Sequence, residues 1–164
     1  MALRTIRVND DPILKKTSRE VTVIDDKIKE LLDDMLETMT VADGVGIAAV
    51  QVGILKRMVI VEIENEKTGE FEPIEMINPV ILEQSEDTQI CMEGCLSVPG
   101  YQGEVERPTK VKVKWQDREG EEHIEEFENL GAVVCCHEID HLDGILYSEK
   151  TANLERIPDE EDED

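Results

Sequence analysis

Between residues 26 and 39 the apolar positions are Ile28, Leu31, Leu32, Met35, Leu36 and Met39, with charged and polar residues between them. That spacing puts all six on one face of a 3.6-residue helix, with Asp25 or Asp26 placed as its N-cap. The stripe predicts core packing, and Asp43-Gly44 ends the pattern. Residues 57–63, Arg-Met-Val-Ile-Val-Glu-Ile, are short and β-branched, as a buried strand should be. From Thr109 to Trp115, Val111, Val113 and Trp115 alternate with lysines, which predicts a strand with one wet face. Asp117-Arg-Glu-Gly120 reads as a turn, and His123 to Phe127 as the returning strand, with His123 exposed and unpartnered. A second helix is predicted from about Leu130 through Ala-Val-Val-Cys-Cys-His-Glu-Ile-Asp-His-Leu to a stop at Asp143-Gly144. Two helices among short strands, without repeats or βαβ alternation, predict an α+β domain.

A length of 164 residues suits a single domain, and 40% hydrophobic residues can build one core. Aromatics are only 3%, so that core is made of Val, Ile, Leu and Met. Forty acids against 17 bases give a net charge of -23, a field that repels phosphate backbones and disfavours direct nucleic-acid binding. No apolar run approaches the roughly 20 residues of a membrane span. Met1-Ala2-Leu3-Arg4 opens into mixed polar sequence rather than a signal peptide, so a cytoplasmic protein with reduced cysteines is expected. The cysteines, at 91, 95, 135 and 136, have neither a disulfide framework nor the C-x-x-C spacing of a zinc knuckle. Asp159 to Asp164 are all acidic and follow Pro158; they predict a solvated, disordered tail on a domain of residues 1–158.

The sharpest chemical signal is His137-Glu138-Ile139-Asp140-His141. Residues four apart on a helix share a face, so two imidazoles can bind one metal ion while Glu138 reaches a water beside it. A third ligand is needed. Glu149 and Glu155 follow downstream without a motif around them, and Cys95 lies upstream in Glu93-Gly94-Cys95-Leu96-Ser97, where a thiolate could project from a glycine-flanked turn. A third segment, Gly44-Val-Gly-Ile-Ala-Ala-Val-Gln51, permits close backbone approach, and Gln51 offers an amide N–H to a developing oxyanion. It lacks the Lys and Ser/Thr of a phosphate-binding loop.

In their order and spacing the three segments together resemble the peptide deformylase family, whose pattern joins G-x-G-x-A-A-x-Q, E-G-C-L-S and H-E-x-x-H. The resemblance implies a compact fold of antiparallel sheets packed around the H-E-x-x-H helix. It implies one divalent metal held by Cys95, His137 and His141, with Fe(II) native and Zn, Ni or Co able to replace it. The implied reaction removes formyl from the N-terminal formylmethionine of new polypeptides and releases formate. Glu138 then acts as the proton carrier, with the Gln51 amide and the Leu96 backbone N–H meeting the oxyanion. The backbone at Gly44, Val45 and Gly46 is implied to pair with the substrate as an added strand, and Val45, Leu130, Val133 and Val134 to line the methionine pocket. The expected partners are formylmethionyl nascent chains, at the ribosome in some members, with the enzyme a monomer. Val50 stands where many members have Pro, and Cys136 where Gln is common. The chain carries an acidic tail where some members carry a long basic helix. Two other readings of the motifs are a zincin-like endopeptidase and a non-catalytic acidic binding module.

Overall fold

The fold is seen in a computed structural model that describes residues 2–65 and 67–157. Helix α1, Asp26–Val41, starts where Asp25 accepts a hydrogen bond from the Ile28 N–H at 3.1 Å. Strands β1 (Gly46–Ala48) and β2 (Met58–Glu64) follow, with a 3-10 turn, Ala49–Val52, between them. Next come β3 (Phe71–Gln84), β4 (Thr88–Cys95), β5 (Val98–Pro108), β6 (Lys110–Gln116) and β7 (Glu122–Glu128). Helix α2 (Leu130–Leu142), the short α3 (Tyr147–Lys150) and β8 (Glu155–Arg156) complete the described chain. The strands form two antiparallel sheets, ordered β1-β2-β3-β6-β7 and β4-β5-β8.

Strand β2 explains its own unbroken apolar run. Val59 and Val61 pack with Ala132, Val134, Cys135 and Ile139 of α2, whereas Met58 and Ile60 pack with Leu32, Met35 and Met39 of α1. A strand covered on both faces has no wet side and therefore does not alternate. Helix α2 is likewise buried almost all round, from Ala132 to Ile139, which makes it the central element between the sheets. It stops at Gly144, whose φ of +74° suits glycine and whose missing side chain leaves room for the Lys15 backbone.

The two helices, the strand over 58–64 and the hairpin of β6 and β7 agree with the sequence pattern to within two residues at each end. His123 differs. Its Nε2 lies 2.7 Å from Asp117 Oδ2 and its ring stacks on Trp115 at 5.4 Å, so it helps close the hairpin turn. All four cysteines are free thiols. Cys135 and Cys136 belong to the core, and burial raises both thiol pKa values, that of Cys136 to about 11. Cys136 is therefore an inert thiol beside a site residue. The expected tail, Asp159 to Asp164, lies outside the described residues.

Candidate metal centre

Helix α2 carries His137 and His141 on one face, their ring centroids 5.2 Å apart. Strand β4 brings Cys95 to them. The pairing of β4 with β5 is irregular between Glu93 and Cys95, which re-aims the end of the strand as it enters the turn at Leu96 and Ser97. Cys95 Sγ lies 3.3 Å from His141 Nε2, and the ligand atoms of Cys95, His137 and His141 all fall within 4.8 Å of one another. Glu149 and Glu155 do not join this group: Glu149 pairs with Lys15, and Glu155 sits on exposed β8.

Beneath the histidines lies a charge network that sequence reasoning missed. His137 Nδ1 is 2.8 Å from Glu93 Oε1. Arg107, 2% exposed, donates Nε and Nη2 to the two Glu93 oxygens at 2.8 and 2.9 Å, and Nη1 to Asp140 Oδ2 at 2.6 Å. Burial alone would raise the Glu93 pKa, but Arg107 and His137 hold it down to about 2. An ionised Glu93 accepts the Nδ1–H of His137, which leaves Nε2 as the ligand nitrogen. On the opposite side of that ring, Tyr147 stacks at 5.8 Å. Alternation along β5 puts Arg107 on the inward face with Val105, two residues before it, but only the fold shows which carboxylates it meets there.

Glu138 is 4% exposed, and its Oε2 lies 4.0 Å from His137 Nε2. Its Oε1 has no hydrogen-bond partner, and burial pushes its pKa up to about 7. Gly46 of β1 presses against that carboxylate so closely that a Cβ would overlap it, which explains a glycine at the start of a buried strand. Gln51 is 1% exposed; its Oε1 accepts the Ala48 N–H at 2.9 Å, and its Nε2 donates to Ser97 Oγ at 3.1 Å and faces Cys95 Sγ at 3.6 Å. A pocket of about 340 Å³ opens over these groups. Its lining includes every expected site residue except Cys95's partner His141, which sits fully buried beneath: Gly44, Val45 and Gly46 on one side, Leu96 on another, and Leu130, Val133 and Val134 of α2 on the floor.

This donor set fits a divalent ion. Burial and the neighbouring His137 push the His141 pKa down, favouring the neutral ring that a ligand needs. Burial opposes charge on His137 too, but Glu138, Cys95 and Glu93 outweigh it and raise its pKa. The anionic surroundings that favour a proton on His137 are equally an attractive field for a metal cation. One thiolate and two imidazoles suit Fe(II), Zn, Ni or Co, and disfavour Mg or Ca.

Residues 3–157 match the sequence pattern of the polypeptide deformylase family. Among known proteins, a peptide deformylase of Finegoldia magna is 50% identical over 154 residues, covering 94% of this chain and 93% of the relative. One from Acetivibrio thermocellus is 54% identical over 150 residues, covering 92% of this chain and 84% of the relative. The crystal structure of the peptide deformylase from Thermotoga maritima superimposes with a TM-score of 0.86 at 41% identity, covering 92% of this chain and 99% of that one.

Proposed function

The chain belongs to the polypeptide deformylase family, enzymes that remove the formyl group from N-terminal formylmethionine, and on that premise we propose how its residues divide the work. Cys95, His137 and His141 would hold one divalent ion, which supplies Lewis acidity to polarise the formyl carbonyl and acidify water. Glu138 takes a proton from the attacking water and returns it to the amine that leaves as formate departs. Its buried Oε1, without a hydrogen-bond partner, leaves the carboxylate free to accept and return that proton. The Gln51 amide, aimed at Cys95, and the Leu96 backbone N–H stabilise the negative charge that develops on the formyl oxygen.

Substrate placement follows from the two sheets. Among the described residues β1 ends one sheet and β4 ends the other, so each offers an edge without a further strand. Both edges reach the pocket, through Gly44, Val45 and Gly46 on one side and Met92, Glu93 and Gly94 on the other. An extended peptide between them would satisfy both rows of backbone groups. Its methionine side chain then enters the apolar floor of Val45, Leu130, Val133 and Val134.

The observation that carries this reading is the convergence of Cys95, both histidines and a buried Glu138, whose Oε1 has no hydrogen-bond partner, under one apolar pocket. Neither a zincin-like endopeptidase nor a non-catalytic module finds support among the relatives. Formate release from formyl-Met-Ala-Ser, compared with cleavage of its N-acetyl analogue and of internal peptide bonds, tests the assignment. Turnover of the formyl peptide alone supports it; equal turnover of the acetyl peptide overturns it.

The native metal in this proposal is Fe(II), as the family resemblance implies; the donor set admits it along with Zn, Ni and Co, and iron beside a thiolate is oxygen-sensitive. Activity should then fall in air and survive after Ni or Co replacement. The enzyme acts as a cytoplasmic monomer on nascent chains, and no described helix is long and apolar enough to cross a membrane.

A further inference from the structure

The turn between β6 and β7 gathers a second set of metal-ligating side chains, none of which lines the pocket over Cys95. Asp117, Glu121 and His123 each offer one ligand atom, and these three atoms lie within 4.8 Å of one another. The Asp117 carboxylate divides its contacts. Its Oδ1 accepts the backbone N–H groups of Glu119 and Glu121 at 2.9 and 3.0 Å, which fixes the side chain, while its Oδ2 faces His123 Nε2 at 2.7 Å. The imidazole is held along its face as well, stacked on Trp115 with ring centroids 5.4 Å apart and planes 16° apart. Arg118, the base within the turn, does not neutralise this group, because its guanidinium goes to Glu75 and Asp33. The side chains of His123 and Asp117 are 39% and 29% exposed, so an ion can enter from solvent.

We propose that Asp117, Glu121 and His123 form a second, solvent-facing site for a borderline divalent ion such as Zn(II) or Ni(II), separate from the Cys95 group. The imidazole distinguishes this triad from the clusters of acids that a chain with 40 of them carries on its surface. One imidazole and two carboxylates favour such ions over Mg or Ca, which prefer oxygen alone. Two ligands of one ion at about 2.1 Å stand about 3.0–3.4 Å from each other. Entry of the ion therefore sends the proton shared by Nε2 and Oδ2 to solvent and opens that pair by several tenths of an ångström. Asp117 keeps its Oδ1 bonds to the turn throughout. Glu121, exposed just before β7, supplies the third ligand, and water completes the shell. Bound by residues on both sides of the turn, the ion staples β6 to β7. It stabilises the hairpin because it binds the folded turn and not the open chain. The site does not depend on the reaction at the catalytic pocket.

Trp115 is the single tryptophan of the chain, and its contact with His123 makes it a reporter of the site. Enzyme loaded with one nickel per chain and freed of excess is titrated with Ni(II) while Trp115 fluorescence and nickel uptake by equilibrium dialysis are followed. The native chain should take up one further nickel, with saturable quenching that tracks it. His123→Gln should abolish both signals. Glu121→Gln changes an exposed side chain outside the core and should weaken both several-fold. Each variant should keep the first nickel and release formate at the native rate. A native chain that shows neither second uptake nor quenching at millimolar nickel overturns the proposal. So does a second nickel that binds either folded variant as tightly as it binds the native chain.

Discussion

Arg107 sits among carboxylates that would be costly to bury alone: Glu93 on one side and Asp140 on the other, with Lys150 3.0 Å from Asp140 at the outer end. Breaking a buried pair by removing one partner strands a charge and costs about 3–5 kcal/mol. Arg107→Met should therefore lower the denaturant midpoint substantially and leave Glu93 to protonate. Once neutral, Glu93 no longer holds the Nδ1–H of His137 as strongly. Metal transfer to a competing chelator should then quicken by the roughly 10- to 100-fold typical of lost outer partners. Glu93→Gln keeps an acceptor for His137 and should lose less metal affinity than Arg107→Met. Chelator competition on both variants checks this; unchanged metal retention in Arg107→Met would contradict the positioning role.

At the scale of elements, the N-terminal segment is tied to α1 through one carboxylate. Asp34 accepts from the Ala2 N–H at 2.7 Å and from Arg4 Nε at 2.9 Å. The Ala2 hydrogen bond outweighs the opposing effect of burial, and with Arg4 it lowers the Asp34 pKa below the usual range. A carboxylate with a lowered folded-state pKa adds stability above its unfolded pKa of about 3.9, and that stability is lost as pH falls through the lower folded value. Between about pH 5 and 3 the melting temperature of the native chain should drop more steeply than that of Asp34→Asn. Parallel curves would refute the tie. Both helices, β2 and the β6–β7 hairpin are legible in the sequence because each carries a local period or a local turn. Cys95, His137 and His141, the proposed metal ligands, each stand in a sequence motif, and the fold brings their ligand atoms within 4.8 Å of one another. Strands β3, β4 and β5 are not, because bulges whose position only cross-strand pairing sets interrupt their ladders, and because β4 turns Ile90 and Met92 outward while burying Glu93, the reverse of the usual pattern. The role of Arg107 escapes because its partners, Glu93 and Asp140, are brought to it from elements distant in sequence.

The whole molecule is strongly acidic, yet the Cys95, His137 and His141 group that could hold a cation is framed by apolar packing. Long-range repulsion among surface acids is screened within about 8–10 Å at moderate salt, so it does not reach into the pocket as a specific interaction. Removing residues from Asp159 onward should therefore leave turnover of a short formyl-Met peptide nearly unchanged. A loss of more than about tenfold, roughly 1.4 kcal/mol of transition-state stabilisation, would show that the tail contributes to the site. The division between ligands and proton carrier is the central claim. It is tested most directly by measuring metal content and formate release on one anaerobic preparation of Glu138→Gln beside the native enzyme. Both should hold about one metal per chain, with turnover lower in the variant by roughly 10²–10⁴, the range for a general acid–base group. A metal-free variant, or one that turns over at the native rate, would contradict it.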